Sequence, residues 1–225
     1  IAVGDMDDPD SIAGAMTGGD AVVHIGPPMH PDEKTMTGYF VKAAQAAGVS
    51  RFIYYSVMHP LRREVRHHRL KLDTEEMLIE SGMPYTIIQP IRYMQHLEPI
   101  WKRVIGEGIH AMPFNTHLQF NVVDLLDLAE ATAIMTLEDG WLYGTFELAG
   151  PEPLSQSDMA DIISNVIGKP VNAEQVPITA MQEKARGGAA SNDRVKQMTI
   201  MNEHYDAFGF LGNPKILEMV LQRKP

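Results

Sequence analysis

The chain has 225 residues, 44% apolar and 21% charged, enough for one large or two small globular units with a real core. Its formal net charge of -10 argues against general binding to DNA or RNA, because neutralising phosphates requires basic surface. No stretch approaches the roughly 18 uncharged apolar residues of a membrane span, and the start lacks the layout of a secretion signal. The absence of cysteine excludes disulfide and thiolate chemistry and fits a cytoplasmic protein.

Along the chain, Ile1 to Val3 read as a strand end before Gly4-Asp5. Asp8 or Asp10 can cap a short helix through Ile12, Ala13 and Met16, and Gly18-Gly19 stops it. "AVVHIG" is a short apolar strand, and "TMTGYFVKAAQAAGV" has helical periodicity through Met36, Tyr39, Phe40, Ala43 and Ala47, with Gly48 as its terminator. "RFIYYSV" reads as a buried strand, "HHRLKLDTEEMLIESG" as a helix, and "YTIIQP" as a strand closed by Pro90. Strand and helix alternating at this spacing predict a parallel sheet with crossover helices.

From about Ile91 the rhythm changes. "YMQHLEPIWKRVIGEGIHAMP" looks helical and then loop-like, and Asp124 or Asp127 caps a helix in "FNVVDLLDLAEATAIMTLE". "YGTFELAG" is another strand, "SQSDMADIISNVIG" a capped helix, "PVNAEQVP" an extended piece, and the tail ends in a helix after Pro214. Gly-Gly and Ala-Ala at 187 to 190 mark the expected mobile loop.

The pieces "GDMDDPDSI", "GGDAVVHIGPP", "AAQAAGVSRFIYYSV", "KLDTEEMLIESGMPYTIIQPIRYM", "NVVDLLDLAEATA", "GTFELAGPEPLS" and "MNEHYDAFGFLGNP" occur in an order that resembles the NmrA-like, isoflavone-reductase-like branch of the atypical short-chain dehydrogenase/reductases. The resemblance implies an α/β fold. It would comprise a Rossmann-type core over residues 1 to 90, which binds NADP or NAD with NADP preferred, and a smaller substrate lobe over residues 91 to 225 with elements returning to the core. Asp5 and Met6 would then lie near the adenine, and Gly26 and Pro27 beside the ribose and nicotinamide. Ser56 would line the active site, Lys71 would hold the nicotinamide ribose or assist proton transfer, and Gln89, Pro90 and Tyr93 would run toward cofactor and substrate. His30, His68, Tyr93 and Met94 complete the expected substrate pocket.

Such relatives open with a strand, a Gly-x-x-Gly-x-x-Gly turn and a helix that holds the pyrophosphate, and nothing in this chain matches that. In the strand order 3-2-1-4-5-6 the Ile1 to Val3 strand would stand roughly 15 Å from "AVVHIG". The expectation is therefore a longer parent chain, or a sheet that has closed the gap and lost its phosphate turn.

The tyrosine that precedes the lysine by four residues in short-chain dehydrogenases is His67 in this chain. An imidazole can exchange protons near neutrality, and the neighbouring lysine favours its neutral form. On residue type alone, Leu70, Thr74, Met77 and Leu78 form the inward stripe of this helix, while Lys71 is a surface charge paired with Glu75 one turn on. The basic run "LRREVRHHRLK" could form a local anion site or a solvated face. Nine histidines occur without zinc-type spacing, so no metal is expected.

Three functions remain open on these residues. One is an NAD(P)H-dependent reductase of a small apolar or aromatic carbonyl or conjugated compound, with Lys71, His67 and Ser56 catalytic and a possible homodimer. The others are a non-catalytic NAD(P) sensor, and a cofactor-free lyase, isomerase or hydrolase using His67, His68 and His30.

Overall fold

A computed structural model describes residues 3–188 and 190–225. Alternating Val, Ile, Phe and Tyr in three short runs, each followed by a turn, produce the parallel strands β1 (Ala21–His24), β2 (Arg51–Tyr55) and β3 (Tyr85–Pro90). Before and between them lie α1 (Pro9–Met16), α2 (Glu33–Ala47) and α3 (Arg66–Glu80). Asp8 caps α1 by accepting from the Asp10 N–H, and Gly48 ends α2 in the left-handed region at φ 72°, where glycine carries no Cβ penalty.

The following segment holds β4 (Arg92–Tyr93), a 3-10 turn (Met94–Ile100), α4 (Trp101–Glu107), β5 (Ile109–Met112) and β6 (Gln119–Val123). After these come α5 (Leu125–Leu137), capped by Asp124, then β7 (Gly144–Leu148), β8 (Pro153–Ser155) and α6 (Gln156–Ile167). Ser155 and Asp158 close a capping box on α6. The chain finishes with β9 (Asn172–Gln175), α7 (Ile178–Gly187), α8 (Asn192–Phe208) and α9 (Lys215–Leu221).

The main sheet runs β1-β2-β3-β7, with every neighbouring pair parallel, so β7 returns from the distal segment to complete it. This is the Rossmann-type arrangement of a parallel sheet with crossover helices. Period-two alternation divides its two cores. Phe52, Tyr54 and Ile87 pack with α1, α2 and α3 on one face, while Ile53, Tyr55 and Ile88 pack with α5 and α9 on the other. A third, small core joins Val104 of α4 to Ala160 and Ile163 of α6. Smaller sheets β4-β6-β8 and β5-β9 build the region beyond the carboxyl ends of the main strands.

Several expectations change. The stretch expected to be loop-like before Pro113 contains β5, stabilised by pairing with β9, a partner more than sixty residues away that no local pattern announces. The 17-residue helix α8 was not anticipated, because its polar and apolar residues show no clear stripe. Ile1 and Ala2, part of the expected first strand, lie outside the described residues, while Val3 to Asp5 are irregular. Ala189 of the expected mobile loop also lies outside them.

Where β7 leaves the main sheet, Gly150 passes so close to β6 that a Cβ there would overlap the Val122 carbonyl. Asn121 ties the crossing by donating to the Gly150 carbonyl (3.1 Å) and accepting from the Gly212 N–H (3.0 Å). Gly150→Ala should therefore destabilise the fold by roughly 2–3 kcal/mol, read from urea unfolding midpoints.

Candidate functional site

The carboxyl ends of β1, β2 and β3 open into a cavity of about 710 Å³. Open parallel sheets bind ligands at this place, because the turns after adjacent strands diverge there. Its sheet side is formed by Ile25 and Gly26 after β1, Ser56 and Val57 after β2, and Pro90 and Ile91 after β3, with His67 and Lys71 reaching in from α3. Across the opening stand Arg92 and Tyr93 of β4, Phe114, Met181 of α7, and Met201 and Tyr205 of α8.

Lys71 is buried, contrary to the surface role that residue type suggests. Its Nζ lies 2.5 Å from Glu33 Oε1 and donates to the Tyr55 carbonyl at 2.9 Å. Glu33 opens α2, is wholly buried, and accepts a second hydrogen bond from the Tyr54 hydroxyl at 2.8 Å. Tyr54 is pushed well above the usual phenol range by burial and by the Glu33 charge, so it remains a donor. The expected Lys71–Glu75 partnership is not made. Glu75 instead accepts from Ser56 and, with both oxygens, from Gln89 Nε2 at 2.8 and 3.0 Å. Burial raises the Glu75 pKa, the usual consequence of removing a carboxylate from water. The inward face of α3 is thus His68, Lys71, Thr74, Glu75 and Leu78, with Leu70 and Met77 only partly buried.

An ammonium has three N–H donors, and Glu33 and Tyr55 take two of those on Lys71. One is left for a ligand at the cavity wall. His67 Nδ1 is likewise buried without a partner among the described residues, and Gly26 leaves space that a side chain would take from the Glu33 carboxylate. A hydroxyl-rich group such as a nicotinamide ribose fits these unpaired atoms. The residues present therefore suit the nicotinamide end of a dinucleotide. The sequence contains no glycine-rich turn of the kind that grips a pyrophosphate.

Of the residues singled out from sequence, Gly26, Ser56, His67, Lys71, Pro90 and Tyr93 meet at this cavity. Pro27 does not line it, its place being taken by Pro28 and Met29, and Gln89 acts from behind through Glu75. Asp5 and Met6 lie away from it, and Asp5 is engaged with Ser11 and Asp7 beside α1. His30 accepts from the Asp32 N–H, and Met94 is 43% exposed and does not line the cavity. His68 is a core residue. Its Nδ1 faces the His59 carbonyl at 3.0 Å, so that nitrogen carries the proton and Nε2 accepts from the Tyr205 hydroxyl at 2.8 Å. The basic run does not form one site, since Arg66 pairs with Asp193 and Arg69 with Asp73.

Burial, with Lys71 and His68 adding to it, lowers the His67 pKa to about 3, so the ring is neutral at physiological pH. Burial likewise raises Tyr93 to about 12. Neither residue is an acid suited to neutral solution.

Glu33, Arg92, Phe114 and Tyr205 escaped the sequence reading. A signal existed for Glu33, which shares the buried stripe of α2 with Met36, Thr37, Val41 and Ala44. None existed for the others, which reach the cavity only through tertiary packing.

The model of the NmrA-like family matches residues 1–222, and the chain belongs to that family. It is 28% identical over 184 residues to the NAD(P)H azoreductase of Xenophilus azovorans, across 81% of this chain and 63% of that protein. The chain thus spans less than two thirds of that relative's length. In fold it is similar to the Citrobacter sp. triphenylmethane reductase complexed with NADP(H) (TM-score 0.84, 20% identity, covering 99% of this chain and 79% of that one). It is equally similar to an NADPH-dependent quinone oxidoreductase of Escherichia coli (TM-score 0.84, 18% identity, covering 99% and 78%). Among the described residues no helix is long and apolar enough to cross a membrane.

Glu33→Gln leaves the Lys71 charge buried without its counter-ion and should cost about 3–5 kcal/mol, whereas Glu33→Met with Lys71→Met should restore much of that loss in urea unfolding. A single-mutant cost under 1 kcal/mol would contradict the buried pair.

His24, His67 and His68 protonate near 6.5 when unfolded but only at about 4, about 3 and about 4 when folded. Between those values the unfolded chain binds more protons, so stability falls as pH drops from 6.5 toward 4, by about 1.4 kcal/mol per unit for each histidine. The melting temperature should decline steeply over that range, and a flat profile would count against neutral burial.

Proposed function

We propose that the chain is the catalytic part of an NAD(P)H-dependent reductase acting on an apolar, conjugated acceptor. The observation that carries this reading is the cavity at the strand ends, where buried Glu33 fixes Lys71 with one donor to spare beneath an apolar wall. The family, and the reductases to which the chain is similar, support it further.

A bound dihydronicotinamide supplies hydride. Lys71, its charge balanced by Glu33, would hold a ribose hydroxyl of that group with its remaining N–H. Gly26 gives the ring close access to the sheet end, and Ser56, held by Glu75, orients a polar atom of ligand or substrate. Tyr93, Met181 and Met201 cover the acceptor and exclude water.

The acid inventory narrows the acceptor. An isolated ketone becomes a strongly basic alkoxide on hydride addition and needs a proton delivered at once. His67 is neutral and weakly basic, and the Tyr93 hydroxyl holds its proton too firmly to deliver it readily. Acceptors whose reduced form is a stabilised anion, such as quinones, suit this wall better than simple ketones.

Reduced nicotinamide mononucleotide contains only the half of the cofactor that these residues would hold, so it probes them without a pyrophosphate cradle. It should bind with enhanced nicotinamide fluorescence and reduce 1,4-naphthoquinone faster than cyclohexanone. Lys71→Met should lower turnover by about 100-fold, as loss of one preorganised donor does. If neither the mononucleotide nor NADPH binds, the reading is wrong.

A further inference from the structure

The cavity has an electrostatic character that a reductase of neutral compounds does not need. Lys71, Arg92, Arg103 and Lys184 line it, and among the described residues no aspartate or glutamate does, in a protein whose net charge is -10. Lys71 is neutralised by Glu33, and Arg103 by Glu107 at 3.0 Å and Glu174 at 3.4 Å. Arg92 and Lys184 have no acidic partner among the described residues. Lys184 is exposed on α7, where water solvates it.

Arg92 stands differently. Only part of the side chain is exposed, and the guanidinium carbon lies 5.7 Å from the ring centre of Phe114 and 5.8 Å from that of Phe120. Its one hydrogen bond among the described residues is a long contact from a terminal N–H to Met112 Sδ at 3.7 Å. A guanidinium has five N–H donors in a planar fork, so nearly all of its hydrogen-bonding capacity is unused. Desolvation lowers its pKa to about 10, which still leaves it fully charged at neutral pH. The same charge helps to hold His96 and His110 neutral. A partly buried cation without a counter-ion costs free energy that the fold must offset elsewhere, and such a group is stabilised when a ligand brings the missing charge.

We propose that Arg92 is an oxyanion-binding residue of the substrate cavity, and that the reductase's substrates are conjugated or aromatic compounds bearing a carboxylate, sulfonate or phosphate group. This rests on the reductase reading for the word substrate, but the anion site itself does not. The fork of Arg92 would take two oxygens of the acidic group, while Phe114 and Tyr93 flank the ring system that carries it. The position of Arg92 on β4, opposite Val122 of β6, fixes the fork from a paired backbone rather than from a loop. An anion also enters against a protein that is negative overall, so the basic lining offsets repulsion by the rest of the surface.

Direct binding tests this without turnover. Isothermal titration of 2-naphthoate and of its neutral isostere 2-naphthamide should give at least a tenfold preference for the carboxylate, reduced by raising NaCl. In Arg92→Met, which keeps an apolar chain of similar length between the rings, the ratio should fall to within twofold of one, and Arg92→Lys should retain part of it. Equal affinity of the two probes in the unaltered protein overturns the proposal with no variant needed, as does a variant that weakens both probes alike. If Arg92→Met weakens NADPH and leaves the naphthoate ratio intact, the anion is a cofactor phosphate and the proposal is again overturned. Failure of both the mononucleotide and NADPH to bind, with the naphthoate preference intact, would sink the reductase reading and leave the anion site standing.

Discussion

The buried ion pair between Lys71 and Glu33 is the constraint on which the site depends. It joins the start of α2 to the middle of α3 under the end of β2, and Tyr54 and the Tyr55 carbonyl complete it. Two desolvated charges are worth keeping only if their geometry is good and their remaining donors and acceptors are used. The remaining donor on Lys71 and the unpartnered Oε2 of Glu33 are where the pair is incomplete. Incomplete satisfaction of a buried polar cluster at the mouth of a cavity is what a ligand-binding site requires, because the ligand then supplies bonds that water and protein do not.

Around that pair the polar groups divide into those that hold and those that face the cavity. Glu75 and Gln89 form one unit behind the wall that reaches the cavity only through Ser56, and His68 forms another with Tyr205, which ties α3 to α8 and borders the cavity. Both satisfy themselves internally and so position neighbours. His67 Nδ1 has no partner among the described residues, Lys71 and Arg92 have more N–H donors than partners, and all three residues line the cavity. The same low-dielectric surroundings that keep the histidines neutral leave the arginine charged, since its ordinary pKa starts six units higher. One environment thus produces both a poor proton donor and a persistent cation.

Much of the fold was legible locally. The helix α1 follows from Asp8 and Pro9, the end of α2 from Gly48, and α6 from the Ser155 and Asp158 pair, each a short-range signal with a physical cause. The strands β1 to β3 follow from apolar runs bounded by turns. What was illegible is equally specific. The strand β5 exists because β9 pairs with it, and α8 is helical although its sequence marks no single buried face. At the site, Gly26, Ser56, Lys71 and Tyr93 follow from the resemblance, whereas Glu33 and Arg92 contact them only after residues far apart in sequence are brought together.

The sequence by itself determined the parallel α/β character, the family, and the presence of a lysine and a histidine on the helix after β2. It determined these because turn chemistry and period-two patterning act over a few residues. Only the tertiary structure decided that Lys71 is buried against Glu33 rather than solvated beside Glu75, that His68 is core while His67 borders the cavity, and that Arg92 stands without a counter-ion. Charge and burial at those positions are set by which distant groups surround them, and a residue's own identity carries no record of its neighbours.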